Sequence, residues 1–118
     1  MGYVYLLHFD RPIAPGHPTQ HYIGYASDLA HRIQAHARGR YNGGGNGCAR
    51  LCEVAKERGI GFTVARLWLG DRPLERRLKL RKNARRLCPI CGQACGVGYA
   101  EEVPAEGIDT LLTGVWIR

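Results

Sequence analysis

Five side chains have the types and the order that phosphate chemistry asks for: Tyr5, Tyr22, Arg32, His36 and Glu75. Hydrolysing a phosphodiester requires a deprotonated water, charge stabilisation on the pentacoordinate phosphorus and help for the leaving alkoxide. Arg32 offers a planar, permanently charged fork that suits non-bridging phosphate oxygens better than a lysine point charge, and His36 lies one helical turn further on. Glu75 supplies one carboxylate able to hold a single Mg²⁺, or Mn²⁺, that keeps most of its waters. A tyrosine hydroxyl has a pKa of about 10, so Tyr5 can act as a general base only where nearby cations or the metal-bound phosphate favour its phenolate.

A second group of residues points to a different metal. Cys88-Pro89-Ile90-Cys91-Gly92 is similar to one knuckle of a zinc ribbon, and tetrahedral Zn²⁺ needs four ligands. Cys95 can supply a third, with the fourth from Cys48, Cys52 or a histidine. Alternatively, Cys48-x-x-x-Cys52 pairs with Cys88-x-x-Cys91 as a Cys₄ site. Either zinc would be structural, and free thiols are the plainer reading. Five cysteines, an odd number, fit a reducing compartment better than a secreted disulfide framework.

The charge balance is 17 Lys plus Arg against 10 Asp plus Glu, a net +7 with pI near 9.5. That excess favours a polyanionic partner, since each base that neutralises a phosphate releases condensed counterions. It is concentrated between residues 71 and 86, where eight bases face two acids: Arg72, Arg76, Arg77, Lys79, Arg81, Lys82, Arg85 and Arg86. With so little opportunity for i,i+4 neutralisation, this stretch reads as a nucleic-acid footprint, and DNA is the expected partner. No run reaches the roughly 18 apolar residues a membrane span needs, and the opening MGYVYLLHFD has no basic segment before its apolar stretch. The expectation is a cytoplasmic protein with no membrane partner, as monomer or homodimer.

These residues need a scaffold, and 118 residues are about one domain's worth of core. Gly2 to Phe9 and Gln20 to Tyr25 read as strands of a hairpin, separated by the Pro-rich loop DRPIAPGHPTQ. Ser27 or Asp28 can cap a helix in which Leu29, Arg32, Ile33 and His36 share a stripe. Gly39 to Gly47, with five glycines and two asparagines, reads as a loop, and a second helix follows from about Ala49 to Arg58. FTVARLWL favours a third strand; Pro73 then suits the first turn of a last, basic helix carrying Glu75. The tail turns Gly-rich and Cys-bearing, and its final IDTLLTGVWIR reads as a short strand or helix. The expected fold is α/β (α+β), a small three-stranded, mainly antiparallel sheet flanked by three helices. Residues 1–87 form its main unit, and 88–118 are a tail packing on it.

Tyr3-Val4-Tyr5 and Tyr22-Ile23-Gly24 resemble the signature of the GIY-YIG nuclease family, the second element literally and the first approximately. The resemblance continues with Arg32, ten residues after Tyr22, His36 four further on, and Glu75 near the start of a later helix. The segment between Tyr5 and Tyr22 is longer than is typical of the family, but the extra length falls in the Pro-rich loop, where insertion need not disturb a sheet. Asn83 is the only candidate for an asparagine that many members carry after the glutamate, and it lies nearer Glu75 than the family pattern has it. The resemblance implies a metal-dependent DNA endonuclease with Tyr5 as general base, Tyr22 orienting water or phosphate, Arg32 stabilising the phosphate and Glu75 holding Mg²⁺. Repair, restriction and mobile-element movement are all compatible with such an activity. The alternative is a non-catalytic, zinc-stabilised nucleic-acid-binding module on the same scaffold.

Overall fold

A computed structural model describes residues 2–13, 16, 19–39 and 50–115. Cys48, Ala49, most of the glycine-rich stretch, parts of the Pro-rich loop and the last three residues lie outside the described residues. Strand β1 (Gly2–Phe9) pairs antiparallel with β2 (His21–Ala26) on one side and β3 (Phe62–Gly70) on the other. The three expected strands are joined by a fourth, giving a four-stranded antiparallel sheet of order β2-β1-β3-β4. Strand β4 (Glu101–Glu102) pairs with Trp68 and Leu69 at the far edge of β3. Two consecutive glutamates carry no strand propensity, so this strand is made by its partner edge and not by local preference.

Central β1 is apolar almost without alternation, as suits a strand covered on both faces. Tyr5, Leu7 and Phe9 enter one core with Leu29, Ile33, Cys52, Ala55 and Leu67. Val4 and Leu6 enter the other with Ile23, Trp68, Leu74, Leu78, Leu87 and Cys88. Helices α1 (Leu29–Arg38) and α2 (Arg50–Glu57) therefore cover one face, and α3 (Arg72–Leu80), α4 (Ala84–Leu87) and the Cys-bearing segment cover the other. A bulge lets β3 serve both faces. Leu6 pairs with Arg66 but Leu7 with Val64, so the extra residue Ala65 shifts the side-chain parity of the strand's second half.

Asp28 caps α1 by accepting from the His31 amide at 3.2 Å, and Gly39 ends it in the left-handed conformation, its amide reaching the Ala35 and His36 carbonyls. Asp71 caps α3 through the Leu74 amide, with Pro73 in the first turn. The expected single basic helix is two. Lys82 adopts a positive φ of 53°, and Asn83 starts the short α4. The final stretch left open between strand and helix is helical in α5 (Ala105–Leu111), whose Ile108 and Leu111 pack on the Tyr5 core together with Val103 and Leu112. Buried Arg66 fastens the tail to β3: its guanidinium donates to the carbonyls of Leu87 at 3.1 Å and Cys95 at 2.6 Å and pairs with Glu102 at 2.7 Å. Among the described residues no helix is long and apolar enough to cross a membrane.

Candidate active site and metal centre

Tyr5 and Gly24 are direct cross-strand partners, and the Tyr5 ring lies over the Gly24 backbone. A Cβ at position 24 would overlap the Tyr5 hydroxyl and come within 2.9 Å of the Tyr22 ring, so only glycine leaves room for the phenol there. From the helix above, His36 meets it: Tyr5 Oη and His36 Nε2 are 2.6 Å apart, and both residues are almost wholly buried, at 1% and 2% exposure. The Tyr22 ring completes a three-ring cluster, centred 6.2 Å from Tyr5 and 5.6 Å from His36.

Charges converge on the same hydroxyl. Burial pushes the Tyr5 pKa far above its ordinary value, Tyr22, Cys52 and Glu75 push it the same way, and Arg32 opposes them. Of the cations that could favour a Tyr5 phenolate, Arg32 acts on it but is outweighed by desolvation. Burial, and then Arg32, hold His36 down at about pH 4, so its ring is neutral at physiological pH. Its Nδ1 is buried without a hydrogen-bond partner among the described residues. Glu75 stands in the first turn of α3, where it accepts an ion pair from Lys79 at 3.2 Å, and the Lys79 ammonium also lies 5.5 Å from the centre of the Tyr22 ring. Tyr5, Tyr22 and His36 thus meet in one cluster, and the charges of Arg32 and Glu75 act on its hydroxyl from two further positions on α1 and α3. Glu75 is the carboxylate of this group, and it is held by Lys79.

All eight basic residues are exposed along α3, α4 and the turn between them; of these, Arg72 lies over the Tyr25 ring at 5.2 Å, Arg77 over Tyr99 at 3.7 Å and Lys79 on Glu75. A groove of about 350 Å³ runs between the outer edge of β2 and these helices, lined by Gln20, Tyr22, Lys79, Lys82 and Asn83 among others. Asn83 does not join the Tyr5 cluster. It starts α4, and its buried Oδ1 has no hydrogen-bond partner among the described residues.

The cysteines resolve differently from either arrangement expected of them. Cys88 and Cys91 meet two histidines, His8 and His21, and these four residues could hold a metal such as zinc, their donor atoms all lying within 4.8 Å of one another. Cys52 is buried in the opposite core, and Cys95 offers its carbonyl to Arg66 and is not in the cluster. None of the four described cysteines forms a disulfide. Reading the sequence alone left the histidine partner unnamed. The signal was the hairpin register, which pairs His8 with His21 across β1 and β2 on the face opposite Tyr5. Burial, His8 and Arg85 hold His21 down at about pH 4, leaving it neutral with a lone pair to give.

Comparison with protein-family models, with curated proteins and with solved structures finds no match.

Proposed function

We propose that this chain is a metal-dependent DNA endonuclease of the GIY-YIG type, with Tyr5, Tyr22, Arg32, His36 and Glu75 as its active site. The observation that carries the reading is the buried 2.6 Å hydrogen bond between Tyr5 and His36, set among Tyr22, Arg32 and Glu75. A core tyrosine needs one partner for its hydroxyl. This one also has a neutral imidazole, a guanidinium and a carboxylate around it, which is what proton transfer beside a phosphate requires.

Mg²⁺ bound at Glu75 would supply charge neutralisation for the phosphate and the leaving oxygen. The chain's own residues do the rest. With the His36 proton on Nδ1, Tyr5 donates its hydroxyl proton to Nε2. Tyr5 Oη can then take a proton from the attacking water while its own passes to His36: one water O–H bond and the Tyr5 O–H bond break, and new bonds form at Oη and Nε2. No free phenolate accumulates. An incoming phosphodiester monoanion favours this route, since negative charge stabilises an imidazolium and disfavours a phenolate. Arg32 binds non-bridging oxygens, and Tyr22 orients water or phosphate. The groove beside Tyr22, with Lys79 and Lys82, leads the DNA backbone to the site, and the exposed bases of α3 and α4 supply counterion release.

A second reading, a non-catalytic nucleic-acid-binding module stabilised by zinc, draws support from the Lys79 contact on Glu75 and the near-complete burial of Tyr5. Incubating the protein with duplex, nicked, flap and four-way DNA under Mg²⁺, Mn²⁺ and EDTA separates the two. Divalent-dependent cleavage that falls about 10²- to 10⁴-fold in Tyr5→Phe, with unchanged DNA affinity and melting temperature, supports the nuclease. Binding to DNA without cleavage of any substrate supports the module.

A further inference from the structure

His8 Nδ1 lies 3.2 Å from His21 Nε2, 3.4 Å from the Cys88 Sγ and 3.8 Å from the Cys91 Sγ, and His21 Nε2 is 3.5 Å from the Cys91 Sγ. A ring nitrogen has either one proton or one lone pair, so His8 Nδ1 cannot bond all three neighbours at once. A common centre accounts for the distances. With Zn–N of about 2.05 Å and Zn–S of about 2.3 Å, the edges of a tetrahedron are about 3.3 Å for N···N and about 3.5 Å for N···S. The measured separations straddle those edges.

We propose that His8, His21, Cys88 and Cys91 bind one Zn²⁺ as a closed, structural His₂Cys₂ centre that fastens the tail to the loop end of the β1–β2 hairpin. Binding joins the ion to two neutral imidazoles and two thiolates, and each thiol proton leaves to solvent, so the centre is uncharged. An uncharged centre is what a half-buried position on a strongly basic chain tolerates. All four positions are filled by protein, which leaves none for substrate and assigns the ion a structural task. The local backbone is shaped for it. The amides of Ile90 and Cys91 donate to the Cys88 sulfur, and Gly92, at φ 88°, returns its amide to the Pro89 carbonyl at 3.0 Å. Such amide–sulfur bonds hold a thiolate for a metal.

The position matters because of what the hairpin lacks. A two-residue turn would set the register of β1 and β2, but their connection runs from Asp10 to Gln20 with prolines in it. His8 and His21 are the last pair of the ladder before that loop, so the ion closes the ladder where a tight turn otherwise would. Tyr22 is the next residue after His21, and Tyr5 is three before His8, which puts the active-site tyrosines on the segment being held. From the tail side, Cys88 follows α4 directly, so the same ion anchors the basic helices to the strand edge that lines the groove.

The test is metal content and spectroscopy of the full chain, neither of which depends on cleavage. Protein purified without chelator should carry one equivalent of Zn²⁺ by elemental analysis. Replacement with Co²⁺ should give the intense visible bands of a tetrahedral ion together with thiolate charge transfer. Cys91→Ser should lose the ion and Cys95→Ser should keep it. His21→Cys, which substitutes one zinc-binding group for another, should retain a full equivalent with stronger thiolate charge transfer, a result that a misfolded variant cannot give. Chelation of the wild type should speed amide exchange in both the 88–97 segment and the loop end of the hairpin. Protein without stoichiometric zinc that also takes up no Co²⁺, an octahedral Co²⁺ spectrum, or loss of the ion from Cys95→Ser with retention in Cys91→Ser would each overturn the assignment.

Discussion

Gly24 shows how a single missing side chain can set a site. Its hydrogen is the space in which the Tyr5 hydroxyl and the edge of the Tyr22 ring stand. Gly24→Ala should displace the phenol from His36, so we expect cleavage to fall at least as far as in Tyr5→Phe, with a loss of stability of about 1 to 3 kcal/mol from overpacking, read by chemical denaturation. Were Gly24→Ala to cut DNA normally, Tyr5 would be a packing residue. His36 makes a second prediction. Its pKa falls from an ordinary 6.5 in the unfolded chain to about 4 in the fold, so between those values the unfolded chain binds the extra proton. Stability from this residue is complete above pH 6.5 and declines as pH falls toward 4, by about 3 kcal/mol at most. His36→Gln should flatten that part of the curve relative to wild type, and an identical slope in both would show that the imidazole titrates freely. The five residues themselves were legible in the sequence, because their types and spacing survive folding. The protonation of Tyr5 was not, because it depends on burial by α1 and α2, which no local pattern reports.

At the scale of elements, three strands and the first two helices follow from β-propensity, helical periodicity and caps, and the structure has them within a residue or two. What escaped were elements made by tertiary contact. Strand β4 exists because β3 has an edge to fill, and the single basic helix divides because Lys82 takes a left-handed conformation that sequence periodicity does not foresee. All eight bases stay exposed, but they differ in what they touch: Arg77 and Arg72 lie on tyrosine rings, whereas Arg76, Arg81 and Lys82 stand around the break. If DNA follows the α3–α4 surface, neutralising Arg76, Arg81 and Lys82 to Gln together should weaken binding and reduce the slope of log K against log salt by about 0.9 per lost phosphate contact. The same exchange at Arg77 should cost melting temperature through its Tyr99 contact more than it costs salt slope. Equal slopes for the triple variant and wild type, measured by fluorescence anisotropy over a salt series, would move the DNA to another face.

In the whole molecule the sheet has two unlike faces. The face under α1, α2 and α5 holds the Tyr5–His36 pair, the face under α3, α4 and the Cys-bearing segment holds the His and Cys cluster, and the basic surface follows the second. Glu75 links them, since its helix packs on the second face while its charge reaches the Tyr5 hydroxyl on the first. Binding and cleavage should therefore come apart in one substitution. Glu75→Gln keeps the shape and the Asp71 cap of α3, removes the carboxylate available to Mg²⁺, and releases Lys79 from its ion pair. The exposed Lys79 pair is worth no more than about 1 kcal/mol, so stability should change little. DNA affinity should stay within a few-fold or rise slightly, because the protein loses one negative charge and keeps every base. Cleavage, in contrast, should vanish at any Mg²⁺ concentration, as one carboxylate is all the site offers the ion. Binding isotherms and a single-turnover time course on the same labelled DNA read both quantities. If Glu75→Gln still cuts in a Mg²⁺-dependent way, the ion sits elsewhere, and Glu75 is no more than a partner for Lys79 and the N-terminus of its helix.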